Sequence, residues 1–199
     1  MDHYQHLTTT EKLTCIYGKA GTGKTTYAMM AARDYARQGK KVLFFDTEES
    51  FSIERFKQMA NDYENLLDRI IVIKIKSFKE QQEHLNNMYQ LLKKGKFSIL
   101  VIDSMTSYYR TLVKNNQELA NSMLKKQLST INDLPIPTVI TTQVYTNQEG
   151  ETKPTGGKWL EDNATILIKL ENTPRIMHVI KPEEKKMKFT ITDEGITLT

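Results

Sequence analysis

The amino-acid sequence predicts an α/β fold in which helices flank a mostly parallel central β-sheet and antiparallel strands extend that sheet at the C-terminus. Three observations support it: apolar runs of strand length alternate with helix-forming segments, a glycine-rich turn follows the first run, and short β-like runs close the chain. The 199 residues are enough to bury one core and too few for two ordinary domains. We therefore predict a single domain over 1–199, with an N-terminal tail at 1–12.

Five apolar runs define the predicted parallel part of the sheet. They are LTCIY (13–17), KVLFFD (41–46), RIIVIKI (69–75), FSILVID (97–103) and PTVITTQ (137–143). Helix formers fill the segments between them, 24–38, 53–65, 78–94 and 117–132. Gly39 and Gly95 are placed to end helices before the next strand. Alternation of this kind is typical of parallel strands joined by right-handed crossovers.

The segment after the fifth run changes character. The stretch VYTNQEGETKPTGGKW, 144–159, is rich in Gly, Thr, Asn and Pro and lacks periodicity, so it predicts a mobile functional loop. Beyond it, the runs ATILIKL, RIMHVI, MKFTIT and ITLT are separated by turn residues. They predict a meander that extends the sheet antiparallel.

Composition restricts the class of protein. No apolar run is long enough to cross a bilayer, and the N-terminus lacks a secretory signal pattern, so no membrane partner is expected. Cys15 is the only cysteine, which excludes an internal disulfide and favours a cytoplasmic location. The net charge of +4 is compatible with nucleic acid but more commonly reflects solvated lysines. His3 and His6 have no cysteines or acids at metal-ligand spacing and indicate a polar terminus.

The glycine-rich turn has the spacing of a phosphate-binding loop. It comprises Gly18, Lys19, Ala20, Gly21, Thr22, Gly23, Lys24, Thr25 and Thr26, and it matches G-x-x-x-x-G-K-T between a predicted strand and helix. Glycines let successive N–H groups face phosphates, and the N-terminus of the helix favours their negative charge. We predict that the loop binds ATP, that Lys24 reaches the β- and γ-phosphates, and that the Thr25 hydroxyl ligates Mg²⁺.

Acidic residues end two of the predicted strands. Asp103 predicts a magnesium contact through water, with a cap on the next turn as the alternative. Ser104 follows it, where many phosphate-loop ATPases place the glutamate that activates water. The acidic stretch 46–49, DTEE, supplies other candidates at the end of the second strand. We predict Glu48 as the base, with Glu49 as the alternate and an acidic helix-capping turn as the non-catalytic explanation.

With these motifs the chain resembles the RecA superfamily, and in particular archaeal RadA and its paralogues. The resemblance covers 13–198 and rests on GKAGTGKT, DTEESFSIERF, ILVIDS, ITTQVY and KPTGGKWLE in the family's order. Two stretches depart from the pattern. The family usually reads T-N-Q where this chain has TTQ at 141–143, and a basic run near the C-terminus is replaced by IKPEE at 180–184.

The resemblance implies roles for three site residues. Glu48 would polarise the attacking water, Arg55 would lie against the adenine ring, and Gln143 would sense the γ-phosphate. The residues alone leave alternatives open. Arg55 could pair with Glu54 or Asp62, and Gln143 could satisfy backbone groups at a strand end.

Two loops at the ligand end of the sheet touch DNA in this superfamily. The first would lie within 105–116, where Arg110 and Lys114 offer phosphate contacts. Tyr108 and Tyr109 in the same segment could stack on bases or pack at the start of a helix.

The second DNA loop would be 144–158. Lys153 and Lys158 offer phosphate contacts there, but Glu149 and Glu151 balance their charge. Because few phosphates can be neutralised, we expect DNA binding of modest affinity that weakens steeply with salt.

Only a dozen residues precede the first predicted strand, so we expect no separate helical DNA-binding domain. The resemblance then implies an accessory ATPase of recombination and repair with weak hydrolysis, which modulates a RadA-type recombinase either alone or as a homodimer. Two alternatives are a nucleotide-binding adaptor without significant hydrolysis and a KaiC-like signalling ATPase, which the run TEES suggests. The sequences SIERF and KPTGG match the recombinase branch better.

Overall fold

A nine-stranded sheet runs through the described part of the chain. The computed structural model describes residues 12–199, so His3, His6 and nearly all of the predicted tail lie outside the described residues. The strands are β1 (Leu13–Gly18), β2 (Lys41–Asp46), β3 (Ile70–Lys74), β4 (Phe97–Asp103), β5 (Thr138–Thr142), β6 (Val144–Thr146), β7 (Thr152–Pro154), β8 (Ile166–Leu170), β9 (Ile176–Lys181), β10 (Lys185–Thr192) and β11 (Gly195–Leu198). The main sheet has the order β11-β10-β9-β8-β1-β5-β4-β2-β3, and β6 and β7 form a separate hairpin.

Helices cover both faces of this sheet. They are α1 (Lys24–Arg37), α2 (Ile53–Met59), α3 (Tyr63–Leu67), α4 (Phe78–Asn86), α5 (Met88–Gly95), α6 (Ser107–Asn115), α7 (Gln117–Asp133) and α8 (Gly157–Asn163). Between residues 12 and 199, none of them has the length and apolar character that crossing a membrane requires.

The central strands are buried on both faces because their side chains alternate between two apolar cores. Ile16 of β1 faces the core under α1, α2 and α3, whereas Leu13, Cys15 and Tyr17 of the same strand face the opposite core. The strands from β8 to β3 pair in parallel, and β9, β10 and β11 add antiparallel pairs. The predicted fold class is confirmed. Cys15 is fully buried, as expected of a small apolar residue in this strand.

Two details of the prediction were wrong. The run at 164–170 does not open the antiparallel meander, because β8 pairs in parallel with β1 and only the later strands reverse. The segments 53–65 and 78–94 each contain two helices instead of one. Gly95 is the last residue of α5, as predicted, but the positive φ that follows the helix belongs to the next residue. Lys96 adopts φ 53°, whereas a Cβ on Gly95 would collide with the Phe97 ring.

Both segments predicted as DNA-contacting loops contain regular structure. Most of 105–116 is helix α6, which packs along α7. The stretch 144–159 is not an irregular loop, because it forms the β6–β7 hairpin and then enters α8 at Gly157. The N–H of Thr155 donates to the carbonyl of Gln143 at 2.8 Å and closes the base of the hairpin.

Candidate nucleotide-binding site

The phosphate-binding loop leaves β1 at Gly18 and enters α1 at Lys24. A Cβ on Gly18 would lie 2.5 Å from the carbonyl oxygen of Leu170, so the close approach of β8 requires glycine there. Gly21 and Gly23 have φ values of 76° and 101°, which aim the loop backbone inward. Gly23 begins α1 without a side-chain cap, so the first N–H groups of the helix face the loop.

Lys24 is buried inside this loop. Its Nζ donates to the carbonyl of Lys19 at 2.9 Å, and the Thr22 hydroxyl donates to the same carbonyl at 2.9 Å. Burial lowers the pKa of the Lys24 ammonium, and the nearby carboxylates of Asp103 and Glu48 oppose that shift. The ammonium therefore lies in a desolvated position with few competing partners, which suits a group that contacts phosphate.

Asp103 lies at the end of β4, beside the loop. Its buried carboxylate accepts from the Thr141 hydroxyl, from the Ser50 hydroxyl at 2.8 Å and from the Thr25 side chain. Burial raises the pKa of Asp103, and these three hydrogen bonds oppose the shift. Thr25 and Asp103, the two predicted magnesium ligands, are thus in direct contact.

Hydrogen bonds between Thr47, just after β2, and the backbone of Asp103 and Ser104 hold the ends of β2 and β4 together. The N–H of Thr47 donates to the carbonyl of Asp103 at 2.9 Å, and the Thr47 hydroxyl is bonded to both the N–H and the carbonyl of Ser104, each at 2.8 Å. Asp46 accepts from the N–H groups of Ser50 and Phe51 at 2.9 and 3.1 Å. These bonds set the path of the turn that carries Glu48.

Glu48 lies on this turn close enough to the phosphate-binding loop for its charge to raise the pKa of Lys24. Its Oε1 accepts from the Ser104 hydroxyl at 3.0 Å and lies 3.6 Å from Nη2 of Arg110. The side chain is 32% exposed, so solvent can reach the carboxylate. Glu49, the alternate candidate, is exposed with a φ of 52°. The helix that follows is capped by Ser52, whose hydroxyl accepts from the N–H of Arg55 at 3.1 Å, and not by these glutamates.

Arg55 is held at the turn between β10 and β11. Its guanidinium donates to the carbonyl of Thr192 at 2.6 Å and to Gln58 at 2.8 Å, and neither Glu54 nor Asp62 is its partner among residues 12–199. Ile191, one residue earlier on β10, lines a cavity of about 250 Å³ together with Gly21, Gly23, Lys24, Thr25 and Thr26. The turn that holds Arg55 therefore borders the phosphate-binding loop.

Gln143 lies half-buried just beyond β5, next to two threonines with different partners. Thr141 bonds to Asp103, whereas the Thr142 hydroxyl is 2.6 Å from that of Thr106 and 3.0 Å from the carbonyl of Thr155. Thr142 lies in the TTQ stretch, 141–143, one of the two stretches at which the sequence departs from the pattern that the resemblance predicts. Its hydroxyl ties the end of β5 to both the start of α6 and the end of the hairpin.

The two tyrosines of the predicted first DNA loop are half-buried on α6. The Tyr108 hydroxyl donates to the carbonyl of Ile75 at 2.7 Å, and the Tyr109 hydroxyl donates to Asn121 at 2.7 Å. The Tyr109 ring also packs edge-on against Phe78, with ring centroids 6.4 Å apart. These contacts favour packing of the two tyrosines at the start of the helix over exposure of their rings for stacking on bases.

The cations predicted to contact DNA differ in whether they already form an ion pair with a carboxylate. Lys114 and Lys158 are exposed on α6 and α8. Lys153 of β7 forms an ion pair at 3.2 Å with Glu151, two residues earlier in the chain. Arg110 is paired with Glu48 and therefore belongs to the nucleotide site as much as to any DNA surface.

The structure brings together Lys24, Thr25, Asp103, Glu48 and Arg110 at the carboxyl ends of the parallel strands. Sequence reasoning missed Ser50, Thr141 and Ser104, which orient the two carboxylates. The position of Ser50 could have been predicted from the sequence. It lies four residues after Asp46, the last residue of β2, and its N–H can donate to that carboxylate to close a turn.

A mostly parallel sheet with this loop and these strand-end acids defines a RecA-like α/β protein. The chain belongs to the Rad51 family, because the family model described as Rad51 matches residues 6–198. The resemblance to recombination proteins of the RecA superfamily is confirmed.

Proteins named DNA repair and recombination protein RadB are similar over nearly the whole chain. The protein of Methanoculleus marisnigri is 35% identical over 198 residues, which cover 92% of this chain and 88% of the relative. The protein of Thermococcus onnurineus is 34% identical over 203 residues, covering 94% and 88%. The protein of Methanococcoides burtonii is 32% identical over 201 residues, covering 92% and 88%.

Proposed function

We propose that the chain is an ATP-binding, DNA-binding accessory protein of homologous recombination and repair, with weak ATP hydrolysis and an effect on a RadA-type recombinase. One observation carries the proposal. In a chain of the Rad51 family, Lys24, the Thr25–Asp103 pair and Glu48 converge on one glycine-rich loop. Membership of the family supports the recombination role, and the loop supports the nucleotide.

The side chains fit Mg-ATP. The loop N–H groups and Lys24 would hold the phosphates, and Thr25 and Asp103 would hold Mg²⁺, for which hydroxyl and carboxylate oxygens are suitable ligands. The buried Asp103 carboxylate has hydroxyl donors but no cation bonded to it among residues 12–199, so its charge suits a metal ion. Bound Mg²⁺ supplies neutralisation of the charge on the β- and γ-phosphates.

Glu48 would hold and polarise the attacking water. The Ser104 hydroxyl fixes its Oε1, which leaves Oε2 to accept from that water. Gln143, beyond the neighbouring β5, would report on the γ-phosphate. Because the Glu48 side chain is partly exposed and already paired with Arg110, we expect slow turnover.

The DNA part of the proposal rests on the ends of α6 and α8. Lys114 and Lys158 are exposed there, while Arg110 and Lys153 are already paired with carboxylates. With so few unpaired cations on these two helices, we expect weak binding to DNA. A protein that binds DNA weakly would need a partner that binds DNA more tightly. We assign that role to a RadA-type recombinase, which this chain would bind alone or as a homodimer. A buried free thiol at Cys15 is compatible with action in the cytoplasm.

The deciding test is ATP hydrolysis by the purified protein with and without single-stranded DNA. Slow turnover that DNA stimulates supports the proposal. Slow turnover that DNA leaves unchanged supports only ATP binding and hydrolysis. An adaptor would bind Mg-ATP without turnover. A KaiC-like kinase would instead label itself with phosphate from ATP, an outcome that would overturn the proposal; the match to the Rad51 family favours the recombination alternative.

A further inference from the structure

The edge of the sheet opposite the nucleotide site is rich in cations. Six exposed side chains lie where β2, β3 and β4 begin and α5 ends, and we name the surface that they form the amino-terminal edge: Lys40, Lys41, Arg69, Lys93, Lys94 and Lys96. Because these strands run parallel, their starts meet at one edge of the sheet, and cations distant in sequence are brought together there.

The register of three neighbouring strands places three of these cations side by side. Lys41 of β2 pairs on one side with Phe97, the residue after Lys96. On the other side, the N–H of Val42 donates to the carbonyl of Arg69 at 2.9 Å. Neighbouring strands lie about 4.8 Å apart, so three cations begin three adjacent strands across a width of about 10 Å.

The cations of the amino-terminal edge are not neutralised by carboxylates. Among residues 12–199, none of the six forms an ion pair. Asp68, the neighbour of Arg69 in sequence, is exposed and pairs with no cation there. By contrast, Arg110 and Lys153 of the predicted DNA segments are both paired. The largest unpaired positive charge that we identify therefore lies away from those segments.

The ends of helices explain only part of this cluster. Lys93 and Lys94 lie in the last turn of α5, where a cation interacts favourably with the helix dipole. Lys41 and Arg69 lie at the starts of strands, where no helix end favours a cation. The Arg69 guanidinium donates to the carbonyl of Gly39 at 3.2 Å, which holds it at the edge without cancelling its charge.

We propose that the amino-terminal edge is a second nucleic-acid-binding surface, which contacts phosphates without regard to base sequence. A row of unpaired cations can neutralise the regularly repeated charges of a phosphate backbone. An acidic protein is a poorer fit, because the centre of a specific protein interface is depleted in charged residues, and six adjacent cations are the reverse of that composition.

This surface is separated from the nucleotide site by the length of the central strands. β4 begins at Phe97, directly after Lys96, and ends at Asp103, which is about 20 Å of extended chain. Nucleic acid bound at the amino-terminal edge should therefore bind equally well with and without Mg-ATP. The inference goes beyond the proposed function and does not rest on ATP hydrolysis.

The test compares the wild type with two triple variants of equal charge. The edge variant carries Lys41→Gln, Lys94→Gln and Lys96→Gln. The matched control carries Lys185→Gln, Lys186→Gln and Lys188→Gln, in three exposed lysines of β10, and four strands lie between β10 and β4. Anisotropy of labelled oligothymidylate across a salt series gives the slope of log Kd against log salt. Melting temperatures exclude a general loss of structure.

We expect the edge variant to lower this slope by about two, because each phosphate contact to a single strand contributes about 0.7. The control variant should keep the wild-type slope. Mg-ATP should leave both slopes unchanged, and the edge variant should retain the Mg-ATP-induced rise in melting temperature.

Chemical labelling locates the contact without any substitution. An amine-reactive reagent is applied to the wild type alone, with oligothymidylate and with polyglutamate, and mass spectrometry measures the labelling of each lysine. With oligothymidylate, labelling of Lys41 and Lys96 should fall in proportion to the fraction of protein bound. Labelling of Lys186 should not change.

Three results would overturn the inference. The first is an equal change of slope in the edge variant and the control. The second is labelling of the edge lysines that bound DNA leaves unaltered, as expected of a merely solvated face. The third is protection by polyglutamate but not by oligothymidylate, which would indicate an acidic protein partner. A wild type that Mg-ATP does not stabilise would contradict the proposed nucleotide site and leave the edge result intact, so the two failures are distinguishable.

Discussion

Lys24 is the residue whose burial is hardest to explain without a phosphate. Its ammonium is desolvated and bonded to only one carbonyl, that of Lys19, so we predict that Mg-ATP stabilises the folded protein and that Lys24→Ala removes the effect. At 100-fold excess over Kd the wild type should gain about 2.7 kcal/mol, or roughly 5–10 °C in melting temperature. Differential scanning fluorimetry measures the shift, with Arg37→Ala as the control. An equal shift in Lys24→Ala would refute the assignment.

Glu48 and Glu49 are neighbours with different surroundings, which makes them a matched pair of variants. Both are exposed, but Glu48 accepts a hydrogen bond from Ser104 beside the phosphate-binding loop, whereas Glu49 is the next residue along the turn and has a φ of 52°. Glu48→Gln should keep the ATP-induced rise in melting temperature and lose about 100-fold in kcat, because the carboxylate acts on water and not on bound ATP. Glu49→Gln should retain near-wild-type kcat. The reverse pattern, measured by phosphate release, would move the base by one residue.

Asp103 is expected to lower the stability of the metal-free protein. Burial raises the pKa of its carboxyl despite three hydroxyl donors, so the charged form is less favourable in the folded state than in the unfolded chain. Asp103→Asn removes the charge and keeps the shape, and the hydroxyls of Ser50 and Thr141 can reorient to accept from the new amide. Thermal unfolding in EDTA should show a gain of about 1 kcal/mol, roughly 2–4 °C.

The same variant separates the metal role from the structural one. Mg²⁺ should stabilise the wild type in the presence of ATP and should have little further effect on Asp103→Asn. A lower melting temperature of the variant in EDTA would mean that the carboxylate stabilises the fold by itself.

Among the elements, the central strands and the phosphate-binding loop were predictable from the sequence. Parallel strands buried on both faces appear as continuous apolar runs, and β1 to β5 agree with such runs to within a few residues. The loop depends on local backbone requirements at Gly21 and Gly23, which have positive φ, and the spacing of glycines records these directly. Local causes of this kind leave a signal within a few residues.

Helix α6 and the β6–β7 hairpin were not predictable, because their causes are distant along the chain. The segment 105–116 contains aromatic and β-branched residues that favour helix weakly, and tertiary contacts from Tyr108 to Ile75 and from Tyr109 to Phe78 decide its structure. The ion pair from Arg110 to Glu48 likewise joins residues far apart in sequence. No local pattern contains that information.

The salt dependence of DNA binding should reveal which cations on these elements are free. We predict that Lys158→Ala and Lys114→Ala each lower the slope of log Kd against log salt by about one, since each exposed cation would neutralise a phosphate. Lys153→Ala should change it less, because Glu151 already pairs with that ammonium at 3.2 Å. Anisotropy of labelled oligothymidylate across a salt series gives the slopes. A salt-independent affinity would contradict a phosphate-contacting surface.

At the scale of the whole molecule, the nucleotide site and the candidate DNA elements are joined by one row of threonines. Thr141 bonds to Asp103, and the adjacent Thr142 bonds to Thr106 before α6 and to Thr155 after the hairpin. A displacement of either DNA element therefore acts on the end of β5, next to the proposed metal ligand.

We expect this molecule to act on recombination through a recombinase and not by itself. The free cations on its candidate DNA elements are few, so by itself it should not coat DNA densely enough to catalyse strand exchange. We expect strand exchange by the cognate RadA-type protein to change in rate when this chain is added, and the two proteins to co-purify in a pull-down. Robust exchange by this chain alone would contradict the accessory role. The absence of both binding and any effect on the recombinase would contradict it equally, and Lys24→Ala in the same assay tests whether the effect requires ATP.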